Sequence, residues 1–254
     1  MSASMVPATN RRTHGRSGEF VDWVGELSPD LAFSLLGRLL PGLAILWPIL
    51  LAAGLATAMG TQAVPPAELV SMFQLAAAWL TTLLLFATAF WSALGLALGR
   101  ELPLMIAEAT VPTGGMFAFL GLWAGMVWNK MTLGEWWIGD ARALAELTLL
   151  GTYLLLMAVR AVAWDSRHGD RVAAIIAILG ASPGPLVYFA VEIFSVVTGE
   201  DAGRPVGGAT GIVAESQVSG VPFLLVLAGL WAYATLAAAM RLRCVIVERA
   251  AGWP

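Results

Sequence analysis

The chain is predicted to be an all-α integral membrane protein: a bundle of six transmembrane helices with a tryptophan-rich loop between the third and fourth. Three observations predict this. Hydrophobic residues make up 59% of the 254 residues and charged residues only 12%, against about 25% charged in an ordinary soluble domain. Six apolar stretches, 39–59, 73–98, 113–128, 141–163, 172–197 and 221–243, approach or exceed the roughly 20 residues a membrane helix needs. Between the third and fourth of them, Trp128-Asn-Lys-Met-Thr-Leu-Gly-Glu-Trp-Trp-Ile-Gly-Asp-Ala-Arg142 is too polar to cross a bilayer and too aromatic for an ordinary linker.

Taken in order, residues 1–18 are polar and read as a disordered tail. Residues 19–38 set Phe20, Trp23, Val24 and Leu27 at helical spacing among acids, which fits a helix lying on the membrane surface as well as a loosely ordered leader. The first span, 39–59, leads through a short connection to a second that follows Pro65-Pro66 and carries Gln74, Trp79 and Trp91. Residues 99–112, with Pro103 and Pro112, read as a short link, and the third span, 113–128, abuts the tryptophan loop. The fourth begins at Asp140 and Arg142 and includes Glu146 and Tyr153; Asp165–Arg171 is a charged turn. The fifth is interrupted by Pro183-Gly184-Pro185, and a broken helix at membrane depth is tolerated only against protein or a wet cavity. Residues 199–220 are rich in glycine and polar residues, and the sixth span ends near Cys244. The expected organisation is therefore a tail over 1–38, one membrane domain over 39–245 and a short tail over 246–254. No cleavable signal peptide is read in the first 35 residues, and one cysteine excludes an intramolecular disulfide.

The basic residues orient the bundle. Six spans put Arg11, Arg12, Arg16, Arg38, Arg100, Arg160, Arg167, Arg171, Arg241, Arg243 and Arg249 on one side, with both termini; Lys130, Arg142 and Arg204 fall on the other. Eleven against three places the termini in the cytoplasm and the tryptophan loop on the outer face of a bacterial plasma membrane. The net charge of −3 carries no information about partners beyond the lipid bilayer, and nothing points to nucleic acid.

The loop holds the candidate chemistry. Trp128, Trp136 and Trp137 offer flat indole faces at a depth where tryptophan also collects simply as an interfacial belt. Asp140 stands where it can cap the following helix, and Arg142 can hold a carboxylate through paired hydrogen bonds; Lys130 adds a second cation. Such a surface suits a large planar amphiphile with carboxylates, for which heme is the obvious candidate. Glu192 sits near the outer end of the fifth span, where unpaired charge is costly, and reads as the partner of Arg142 or Lys130 in a structural ion pair. No His/Cys metal cluster, no phosphate-binding glycine loop and no nucleophile–base pair on one side of the membrane can be assembled, so no enzymatic activity is expected.

The segment Gly134-Glu-Trp-Trp-Ile-Gly-Asp-Ala-Arg142 resembles the Trp-Trp-Asp signature of the heme-handling proteins of cytochrome c maturation, and most closely the heme exporter protein C (CcmC-type) family. The likeness runs over roughly residues 74–198, through Pro112, Gly114, Phe117, Phe119, Trp128 and Lys130 upstream and Glu146, Leu147, Leu150, Tyr153, Asp165, Arg167 and Val191-Glu192 downstream. It implies a non-enzymatic membrane subunit that binds heme b transiently on the outer-face loop, through Trp128, Lys130, Trp136, Trp137, Asp140 and Arg142, and presents it to a periplasmic heme chaperone alongside other maturation subunits.

The chain departs from that pattern in specific places. Gly139 and a residue near Leu133 stand where the family has tryptophans. Its two axial histidines are replaced by Gln74 and Tyr188, the latter able to ligate ferric iron as a phenolate. The only histidines, His14 and His168, lie on the cytoplasmic side of the predicted topology. A second reading follows from these losses: a paralogue without heme that serves as a structural subunit of a membrane complex.

Overall fold

The computed structural model describes residues 29–61, 65–139, 141–162, 166–181 and 220–251. They form six helices: α1 Pro29–Thr61, α2 Pro66–Leu98, α3 Glu101–Leu133, α4 Ala141–Val162, α5 Ser166–Ala181 and α6 Gly220–Ala250. All but α5 are long and apolar enough to cross a membrane. The fifth predicted span is described only as far as Ala181; the Pro183-Gly184-Pro185 break, Tyr188 and Glu192 lie outside the described residues.

Three expectations are corrected. Residues 99–112 are not a link followed by a short span: α3 begins at Glu101 and is continuous to Leu133. Leu102, Met105, Ala107 and Ala109 are good helix formers that pack into the bundle. Pro112 removes one backbone donor, but buried Val111, Thr113 and Gly114 hold the helix across it. The tryptophan loop is also shorter than predicted. At 33 residues, α2 and α3 are each about 50 Å long, well beyond the roughly 30 Å hydrocarbon core. Trp128–Leu133 therefore belong to a helical end, and among the described residues of the loop only 134–139 are irregular. In addition, α1 starts at Pro29, so residues 29–38 continue the first spanning helix; 19–28 fall outside the described residues.

The α2–α3 hairpin is the axis of the molecule. Against one side lies α6, which in turn carries α1; against the other lie α4 and α5. Apolar side chains gain little by leaving lipid for protein, so close backbone approach at small residues has to hold such helices together. Gly229 of α6 meets the backbone of Leu51 on α1, where a Cβ would stand 2.8 Å from the Leu51 nitrogen, and Gly54 of α1 meets Val226 of α6 at the same distance. Around them Ala58, Met72, Ala76, Ala77, Leu80, Phe117 and Val226 form one buried cluster. Leu85, Val111, Ala118, Tyr153, Leu156, Ala173 and Ala177 form the other, between the hairpin and α4–α5.

Polar links cross the apolar interior where both partners are satisfied. The Thr88 and Thr110 hydroxyls lie 2.8 Å apart across the hairpin, and the Tyr153 hydroxyl donates to the Thr81 carbonyl at 2.8 Å. At the arginine-rich end, Arg249 of α6 bonds Glu108 of α3 at 2.7 Å and Asp170 of α5 at 2.8 Å. This clasp ties three helices at one end of the bundle. Burial pushes the Asp170 carboxyl above the ordinary aspartate range, with Arg249 pulling the other way.

Candidate functional site

At the opposite end α3 hands over to α4. Gly134 closes α3 in the left-handed conformation, φ 81°, which a glycine adopts without strain. Lys130, one turn back, donates to the Gly134 carbonyl at 2.8 Å and so satisfies an acceptor that the helix end leaves open. Its ammonium keeps two further donors. The chain then runs without helix or strand through Glu135–Gly139, with a bend at Trp136.

The two tryptophans have different neighbours. Trp136 lies beneath the Lys130 ammonium, 6.0 Å from its ring centroid, near the outer limit of a cation–π contact. Trp137 lines a pocket with Trp128, Gln74, Asn129, Met126, Ala143 and Glu146. Trp136 and Trp137 remain 50% and 43% exposed, so both indoles offer free surface. The pocket beneath Trp137 has a volume of about 40 Å³. That holds one or a few waters and is far smaller than a porphyrin.

The floor of the pocket is polar and buried. Gln74 of α2 donates through Nε2 to Glu146 Oε1 of α4 at 3.3 Å, a long bond, and the two residues are 4% and 5% exposed. They meet across α3 because residue 125 is glycine: a Cβ there would collide with Gln74 Nε2 and lie 3.6 Å from Glu146 Oε2.

Of the residues predicted from sequence, Trp128, Trp137 and Gln74 therefore share one pocket, and Trp136 and Lys130 share the adjoining surface. Asp140, Tyr188, Glu192 and the side chain of Arg142 lie outside the described residues. Sequence reasoning gave no role in the site to Glu146, Asn129 or Gly125. An acid inside an apolar span was a usable signal for the first; the other two gave none.

Residues 23–253 match the family model described as heme exporter protein C. Relatives carrying that name include one from Bradyrhizobium diazoefficiens, 30% identical over 188 residues, which cover 72% of this chain and 71% of that protein. One from Haemophilus influenzae is 38% identical over 84 residues, 33% of this chain and 34% of that protein. One from Escherichia coli K12 is 32% identical over 99 residues, 39% and 40%. The last two matches thus span well under half the length of the relatives concerned.

Proposed function

We propose, on the premise that this chain belongs to the heme exporter protein C family, that it holds heme as a transient cargo on the shelf formed by Trp136 and Trp137. It is a multi-pass membrane protein of cytochrome c maturation and not an enzyme. The observation that carries the site is the exposed tryptophan pair with Lys130 beside one indole and a polar pocket below the other. Two half-exposed indoles adjacent in sequence supply hydrophobic surface for a porphyrin, each aromatic contact contributing about 1 kcal/mol. Lys130, and Arg142 at the start of α4, are the cations for the propionates. The basic bias supports an outer-face position for this shelf, where a periplasmic heme chaperone would collect the cargo and other maturation subunits would pack alongside.

Contacts of this size give weak, exchangeable binding, which suits a protein that passes its cargo on. Titration of the purified full chain with hemin tests the reading, followed by Soret absorbance and by quenching of tryptophan fluorescence. Saturable binding in the wild type, largely lost in Trp136→Ala/Trp137→Ala, is expected. Equal uptake by the double variant would remove the shelf from the site. No uptake by the wild type would favour the second reading, a heme-free structural subunit, which the glutamine at position 74 supports because an amide is a poor iron ligand.

A further inference from the structure

Arg160, in the last turn of α4, carries donors that nothing accepts. Its Nε and Nη1 are both sealed from solvent and have no hydrogen-bond partner among the described residues. A guanidinium cannot shed its proton to escape such a position, and buried donors without an acceptor are costly. The carboxylates of Glu108 and Asp170 act on it through space, as does Arg249. The packing of the helices explains why these groups converge. Val111, Leu156 and Ala173 belong to one buried cluster. Glu108, Arg160 and Asp170 each stand one turn away from those residues, on the same faces of α3, α4 and α5, and each of the three turns leads toward the arginine-rich end.

Both acids are already taken, and by a single nitrogen. Arg249 Nη2 donates to Glu108 Oε2 at 2.7 Å and to Asp170 Oδ2 at 2.8 Å. Two guanidiniums thus face two carboxylates, and one guanidinium holds both. The opposite assignment keeps every charge and exchanges one arginine's bonds for the other's. It also moves the unbonded cation to a place that water reaches. Arg249 is in the last turn of α6, between exposed Glu248 and Ala250, whereas Nε and Nη1 of Arg160 have no such access. An unpaired charge costs less when hydrated than when buried. Opposing the exchange is the packing of Leu242, Val245 and Ile246 of α6 with Met105 and Ala109 of α3, which keeps Arg249 over the acids.

We propose that this clasp is a two-state device in which Arg160 and Arg249 are alternative holders of Glu108 and Asp170. In the closed state Arg249 holds the acids, and α6 with the α1 it carries is tied to α3 and α5. In the released state Arg160 holds them, so α3 and α5 stay joined through α4 while the end of α6 swings clear. The α1–α6 pair can then detach at this end of the bundle without leaving two carboxylates unneutralised. The device is independent of any cargo at the tryptophan shelf.

The test follows the arginine Nε–H signals of the nitrogen-15-labelled full chain in detergent, assigned by their loss in Arg160→Met and in Arg249→Met. In Arg249→Met the Arg160 Nε–H proton is expected to move downfield, as it does on bonding a carboxylate, and to move back when Glu108→Gln and Asp170→Asn are added. A signal that stays in place when Arg249 is removed overturns the proposal, because a charge that acts only through space forms no bond. A second measurement needs no change at Arg249. Relaxation dispersion reports exchange on the microsecond to millisecond scale, and in the wild type the Arg160 and Arg249 signals are expected to exchange at one common rate. The Arg249 dispersion is expected to vanish in Arg160→Met, which removes the alternative holder. Dispersion at Arg249 that survives Arg160→Met unchanged, or no dispersion at either arginine, overturns the exchange.

Discussion

Tyr153 and Gly114 occupy a space that neither could share with a larger neighbour. The tyrosine ring of α4 fills the place where a Cβ on residue 114 of α3 would stand. Tyr153 is fully buried, and its hydroxyl reaches past α3 to the Thr81 carbonyl on α2. One side chain thus joins three helices at mid-depth, beneath the pocket of Gln74 and Glu146.

Gly114→Ala is expected to push the ring off that carbonyl and destabilise the bundle by about 1–3 kcal/mol, the range for overpacking a filled interior. Tyr153→Phe keeps the ring and removes one hydrogen bond, about 1 kcal/mol. Thermal unfolding in detergent checks both. An alanine variant that melts with the wild type would mean that the close approach does not exist.

The clasp at the other end makes a charge-specific prediction. Arg249→Met leaves Glu108 and Asp170 without the guanidinium that bonds both of them. Breaking a largely buried pair from one side costs about 3 kcal/mol, so a clear fall in melting temperature is expected. Arg243→Met on the same helix is the control. That guanidinium lies 4.2 Å from the Phe33 ring centroid, a contact worth about 1 kcal/mol or less at a partly exposed site. Equal effects of the two substitutions would deny the clasp its role.

What the sequence made legible follows from the length scale of each signal. Apolar runs of twenty residues identify spanning helices by themselves, and the bundle architecture followed from them. The start of α3 was missed because Pro103 and Pro112 suggested a link, whereas burial of Leu102, Met105 and Val111 against neighbouring helices overrides that local signal. Trp136 and Trp137 are conspicuous as a pair, but their different neighbours depend on where α3 ends at Gly134. The Gln74–Glu146 bond joins residues 72 apart through a gap left by Gly125, and no periodicity or spacing encodes that meeting.

The topology is testable on the intact chain. Reporter fusions at Gly134 and Gly207 are expected to read outside and one at Gly169 inside, from the eleven-to-three distribution of basic residues. An inside signal at Gly134 would put the tryptophan shelf on the cytoplasmic face and rule out delivery to a periplasmic chaperone.

The split of the tryptophan pair predicts a pattern of couplings in hemin binding. Trp136 lies beside Lys130, and Trp137 lines the pocket with Gln74. Residues in contact or sharing a cavity couple by about 0.5 kcal/mol or more, while independent positions add to within about 0.3–0.5 kcal/mol. Alanine double-mutant cycles should therefore show coupling for Trp136 with Lys130 and for Trp137 with Gln74. The crossed pairs, Trp136 with Gln74 and Trp137 with Lys130, should be additive. Each single tryptophan substitution is expected to weaken hemin binding by roughly fivefold, about 1 kcal/mol for one aromatic contact. Coupling in the crossed pairs and additivity in the others would mean that the indoles exchange neighbours when heme is bound. Additivity in all four pairs would reduce the shelf to two independent apolar contacts, with neither Lys130 nor Gln74 acting through an indole.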